Sequence, residues 1–203
     1  MSVSKEIRNY VYGQICSLSG CNPIVNQKLA MLRRGVGHTP DEVPMCWGLL
    51  FEKAPDSWWK SLNFTTNECT TKVTKEEWAV FTAMTLFAWS SQGNGRGKAN
   101  VSDVSLGQAL ANLAGYDMTK QEHMRESLSS LVSVDDMISF NIRMRRICSL
   151  LKQGGIGFDY AMFASDVYCL QWNQSAKQGV ILRWCRDFQL TINKMKGNGD
   201  KNE

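Results

Sequence analysis

Histidine is nearly absent from this chain of 203 residues, which has only His38 and His123. Its cysteines (Cys16, Cys21, Cys46, Cys69, Cys148, Cys169 and Cys185) are odd in number and scattered, with no CxxC pair. Structural zinc sites usually draw on closely spaced ligand pairs, so no metal site is expected; the thiols read as buried and reduced. No stretch approaches the roughly 20 continuous apolar residues of a membrane span. Residues 1–10 have no apolar segment ahead of a cleavage site, so secretion is not expected and a cytoplasmic protein is. Period-two alternation over more than a few residues is nearly absent as well, which excludes an extended sheet. What remains is an all-α chain.

There is ample material for a packed core: 43% of the residues are hydrophobic, including ten Met and seven Trp. Helix starts are marked by a hydroxyl residue followed three positions later by an acid or amide, the spacing of a capping box. It occurs at Thr39/Glu42, Thr74/Glu77, Thr119/Glu122 and Ser175/Gln178, and Asn22-Pro23 adds a cap with proline in the first turn. Gly35, Gly115 and Gly154-Gly155 stand where left-handed residues would end helices. These signals predict helices near 4–18, 23–34, 42–53, 75–90, 105–114, 120–132, 135–153, 159–171 and 176–195. About nine helices exceed one simple bundle, so two packed helical domains are expected, 1–117 and 118–203. The Gly-, Ser- and Asn-rich stretch 91–103 reads as a mobile basic loop, and the polar tail from Gly197 as frayed.

Catalytic chemistry is hard to find. In the loop Gln92-Gly93-Asn94-Gly95-Arg96-Gly97-Lys98-Ala99, a phosphate-binding loop would need Gly at 92 and Ser or Thr at 99. It would also need a strand before it, where a helix is predicted. The dinucleotide fingerprint fails at Lys98. No histidine falls in a local nucleophile signature. The acid pairs Glu76-Glu77 and Asp135-Asp136 sit in first turns of helices, where carboxylates favour the positive dipole end. No enzyme, cofactor or small-molecule substrate is expected.

The formal net charge of +4 is a mild signal; its distribution is a stronger one. Between Met137 and Phe158 there is no acidic residue, yet Arg143, Arg145, Arg146 and Lys152 all occur. Phe140, Met144, Ile147 and Leu151 form the stripe that a helix would bury. Arg145 and Lys152 then fall on one flank, with Arg143 and Arg146 on the other flank and the back. A solvated face would usually interleave acids for i,i+4 pairs. The last helix carries Arg183, Arg186 and Lys194 within about 80° of each other at 100° per residue. Arg33-Arg34 end the second helix, and Arg96 and Lys98 lie in the Gly-rich loop. Lys194 and Arg33-Arg34 fit dipole compensation as well as phosphate contact, and the loop cations fit a solvated linker as well. Trp58-Trp59, beside Pro55, lies outside any stripe and is assigned to packing under a loop or against a partner protein. Together these cations suit sequence-independent contact with a nucleic-acid backbone, since no base-reading module is present. An acidic protein partner would suit the same face. A helix-turn-helix regulator would need a recognition helix entered through a short Gly turn, and none is seen.

Ser105-Leu106-Gly107-Gln108-Ala109-Leu110 resembles the SLGxAL segment of the CasB family, the small subunit of the type I-E CRISPR surveillance complex Cascade. Met144 to Lys152 resembles that family's LRRLVxLLK helix. Gly155-Ile156-Gly157-Phe158-Asp159-Tyr160 is similar to its GIxLDW turn, with Tyr160 in place of Trp. Trp172-Asn173 and Arg183-Trp184-Cys185-Arg186-Asp187-Phe188 resemble its closing pattern, with Gln189 in place of the final aromatic. Leu32-Arg33-Arg34-Gly35 resembles an N-terminal block, whereas residues 40–100 show little beyond helical pattern. The resemblance implies a non-catalytic protein of two helical bundles, placed beside CRISPR RNA, target and displaced DNA strands, other Cascade subunits and a second copy of itself. Its role there would be to stabilise the R-loop, with sequence recognition left to the guide RNA. The matching basic positions are Arg33, Arg34, Arg145, Arg146, Lys152, Arg183 and Arg186; Arg96, Lys98, Arg143 and Lys194 rest on charge geometry alone.

Overall fold

The structure is a computed structural model that describes residues 2–58, 73–93 and 97–199. Among them are nine α-helices and no strand: α1 (Val3–Ser17), α2 (Pro23–Arg34), α3 (Pro44–Phe51), α4 (Lys75–Ser90), α5 (Leu106–Ala114), α6 (Met118–Ser130), α7 (Met137–Gln153), α8 (Tyr160–Leu170) and α9 (Gln174–Gly199). A short 3-10 turn, Asp56–Trp58, follows α3. The chain is all-α, as its patterning requires. Trp59 and Arg96 lie outside the described residues. No described helix is long and apolar enough to cross a membrane.

Several helix ends are built from the expected chemistry. The Asn22 side chain accepts from the Val25 amide, and Thr74 and Glu77 form a full capping box. The acid pairs do sit at helix starts: Glu77 closes that box and Asp136 caps α7 through the Ser139 amide. Other caps differ. The Glu42 carboxylate accepts from the Thr39 amide at 2.9 Å, but that bond closes a turn, and α3 begins only at Pro44. Thr119 and Ser175 are inside their helices, because Asp117 and Asn173, both favoured cap residues, act earlier in the chain. Ser105 and Gln108 form a capping box that was not anticipated. Gly35 is not a left-handed stop, having φ −76°. A Cβ there would lie 2.9 Å from both Phe81 and Thr85, so its role is to let α2 end close against α4.

Helix α4 is the centre of the core. From Ala79 to Ala88 every residue is buried, so it is apolar all round rather than amphipathic. Helix α8 packs between α1 and α4 and also touches α9; α2 and α7 flank α4; α5 lies along α9, with α6 against both. Trp58 is buried, with Tyr10 edge-on to it at 5.1 Å.

The Gly-rich stretch is not a free loop over its described part from residue 97. Ala99 O accepts from the Phe158 amide, and Phe158 O from the Val101 amide, each at 3.2 Å. The Tyr160 amide donates to Asn100 Oδ1. Asp159 caps α8 and also accepts from the Asp103 amide and from Arg8, which binds Asp103 too. A Cβ at Gly157 would fall 1.9 Å from Lys98 O, so that turn must be glycine. The GIGFDY segment is thus a fold-closing device. Its Tyr160 is fully buried and shares a 2.6 Å hydrogen bond with Ser90.

Candidate nucleic-acid interface

Helix α7 organises the basic surface. Phe140, Met144, Ile147 and Leu151 are all buried, as the stripe requires, which turns the cations outward to two different environments.

On one side they meet Trp89, at the end of α4. The Arg145 guanidinium lies over the indole at 4.3 Å from the ring centroid, and Lys152 Nζ lies 5.5 Å from the same centroid. Lys152 also donates to the Trp89 carbonyl at 3.3 Å, and the indole N–H donates to Ser149 Oγ at 3.3 Å. Ser149 in turn donates to the Arg145 carbonyl at 2.8 Å. Burial, and next the positive charge of Arg33, hold the Lys152 ammonium below its usual pKa. Arg33, at the end of α2, is thus close enough for its charge to be felt at Lys152. Its neighbour Arg34 acts elsewhere: its charge opposes the rise that burial imposes on the Cys46 thiol.

On the other side, Arg143 and Arg146 line a groove of about 360 Å³ against α6 with His123, Ser127 and Ser130, floored by Ile147 and Leu150. No carboxylate lines it. Arg143 donates to the Ser130 carbonyl and, at 3.4 Å, to Ser133 Oγ, so it ties α7 to the end of α6. Arg146 is exposed and has no acidic partner among the described residues.

The remaining cations do not join these groups through any described contact. Arg183 pairs with Asp166, which also accepts from the Trp184 indole at 2.7 Å. Burial raises the Asp166 pKa despite Arg183, so Arg183 acts as counter-ion to a nearly buried carboxylate. Arg186 and Lys194 on α9, and Lys98 on the pinned loop, are exposed and without an acidic partner among the described residues.

Trp89 was missed in the sequence, where tryptophans at helical spacing read as core. The signal lay in its place, the last aromatic of α4, half-buried where its neighbours are buried. Lys75, 3.6 Å over the exposed Trp172 ring, is a second unanticipated cation–aromatic pair.

Fold and surface together define a basic all-helical protein with a group of cations on one acid-free helix. The model of the family described as CRISPR-associated protein Cse2 matches residues 28–188. Two solved structures share the fold. The CasB protein of Thermobifida fusca is 24% identical with a TM-score of 0.65, the match covering 92% of this chain and 97% of that one. A CRISPR-associated protein of the Cse2 family from Thermus thermophilus is 17% identical with a TM-score of 0.61, over 93% and 99% of the two chains. No curated protein sequence matches significantly. The chain belongs to the Cse2 family of CRISPR-associated proteins. The resemblance to the CasB small-subunit family is therefore one of membership.

Proposed function

We propose that this chain is the non-catalytic small subunit of a type I-E CRISPR RNA-guided surveillance complex, acting in the cytoplasm. It grips nucleic-acid backbone without reading sequence, and so stabilises the guide RNA–target DNA hybrid and the displaced strand. Its partners in this reading are the CRISPR RNA, both DNA strands, the other Cascade subunits and a second copy of itself.

The observation that carries the nucleic-acid part is the pair of cations, Arg145 and Lys152, held on Trp89. Neither Arg145 nor Lys152 has an acidic partner among the described residues, and their helix carries no acid. An arrangement of that kind is relieved when a polyanion supplies the missing negative charge. Arg146 and the groove beside it extend the positive surface around α7, and Arg186, Lys194, Lys98 and Arg34 are exposed further contacts. Arg143 and Arg183 contribute less, because Ser130 and Asp166 already engage them.

The test is a gel shift with unrelated single- and double-stranded DNAs, comparing wild type with Arg145→Glu and Arg146→Glu made separately. Each reversal should weaken binding to every sequence alike. Unchanged binding removes that residue from the interface, and selectivity for one duplex sequence overturns the reading.

A further inference from the structure

Trp89 differs from the other large aromatics of the core. Phe158, Tyr160, Phe163 and Trp184 are each buried to within 2% of completeness, whereas Trp89 is half-buried and carries cations. Three α7 residues on neighbouring turns take hold of it. Arg145 and Lys152 lie within the roughly 6 Å at which a cation feels a ring quadrupole, and Ser149, between them, accepts the indole N–H. Arg145 already covers the ring, so the indole is poorly placed to stack on a base. Long basic side chains lose rotamer freedom when they bind a phosphate, and holding them beforehand removes part of that loss.

Resting on the function proposed above, we infer that Trp89 is a positioning residue for nucleic-acid binding: its ring pre-orders Arg145 and Lys152 into one preformed unit for the phosphate backbone. Trp89 touches no nucleic acid itself. Its effect is transmitted entirely through the two cations.

The test is fluorescence anisotropy with a labelled single-stranded oligonucleotide at fixed salt, on full-length protein whose fold is checked by circular dichroism. Trp89→Leu should weaken binding about three- to tenfold, and Trp89→Phe, which keeps an aromatic face, by about twofold. In an Arg145→Ala/Lys152→Ala background, Trp89→Leu should cause no further loss. In an Arg186→Ala background, where the altered cation is remote, the full loss should persist. A general fold defect would weaken both backgrounds equally, and that outcome overturns the proposal. So does normal binding by Trp89→Leu while Arg145→Ala is impaired. If Trp89→Leu fails to fold, Trp89→Phe carries the same cycle, and its loss must vanish in the Arg145→Ala/Lys152→Ala background. Absence of binding by the wild type is a different result: it overturns the proposed function, and this inference with it.

Discussion

Replacing Gly107 by alanine opposes two effects whose magnitudes can be compared. Gly107 lies in the first turn of α5, where that helix meets α9. A Cβ there would sit 2.0 Å from the Trp184 carbonyl oxygen, 2.8 Å from its carbon and 3.1 Å from Asp187 Cβ. Two of these obstacles are backbone, which cannot rotate aside, so α5 and α9 must part by roughly 1.5 Å to restore ordinary contact. Forcing an extra carbon into packed structure costs about 1–3 kcal/mol, and a backbone clash belongs at the upper end. Alanine's better helix propensity returns about 1 kcal/mol. The net loss is about 2 kcal/mol, a fall in Tm of roughly 4–8 °C for a chain of this size. Gly179, on α9, is the control, because a Cβ there meets nothing within 4 Å. Gly179→Ala should gain about 0.5–1 kcal/mol and raise Tm by roughly 1–4 °C. Thermal melts by circular dichroism compare the two variants. Equal signs would refute the close α5–α9 approach.

Two further outcomes follow from individual side chains. Hydrogen bonds from the Ser139 amide and then its hydroxyl hold the Asp136 carboxyl below its ordinary value. A carboxyl lowered by folding stabilises above its unfolded pKa of about 3.9, and that contribution disappears as pH falls through the lowered value. Asp136→Ala should therefore cost about 1 kcal/mol at neutral pH and Asp136→Asn little, as read by denaturant titration. The deficit of Asp136→Ala should narrow in acid. Complete burial pushes the Cys148 thiol up to about 12, whereas Cys16 and Cys21 are exposed. Brief alkylation of the native protein followed by mass spectrometry should label the latter two and spare Cys148. Equal labelling would contradict the packing around Tyr160 and Ser90.

Most of the fold was legible because helix signals are local. Asn22-Pro23 and Thr74/Glu77 act within one turn, and the α7 stripe needs only the helical period. The cap errors have the same origin in reverse. Thr119 and Ser175 have the right spacing, but Asp117 and Asn173 stand earlier and take the first orphan amides. Residues 99–103 of the Gly-rich stretch are pinned for a reason composition does not carry: their anchors, Phe158, Asp159 and Arg8, are distant in sequence. The site divides along the same line. That Arg145 and Lys152 share a flank follows from their spacing of seven. That both meet Trp89 depends on α7 flanking α4, which no local pattern encodes. Arg183 looked like part of a basic face because its counter-ion, Asp166, sits on another helix.

The central claim is that the cations around Trp89 neutralise nucleic-acid phosphates without regard to sequence. It is tested most directly by the dependence of Kd on salt, measured for two unrelated oligonucleotides with wild type and Arg145→Ala. Each phosphate contact adds about 0.9 to the slope of log affinity against log salt on duplex DNA and about 0.7 on a single strand. The account predicts parallel lines for the two sequences, and a slope shallower by about one contact when Arg145 is removed. Affinity indifferent to salt, or a slope that Arg145→Ala leaves unchanged, would contradict it.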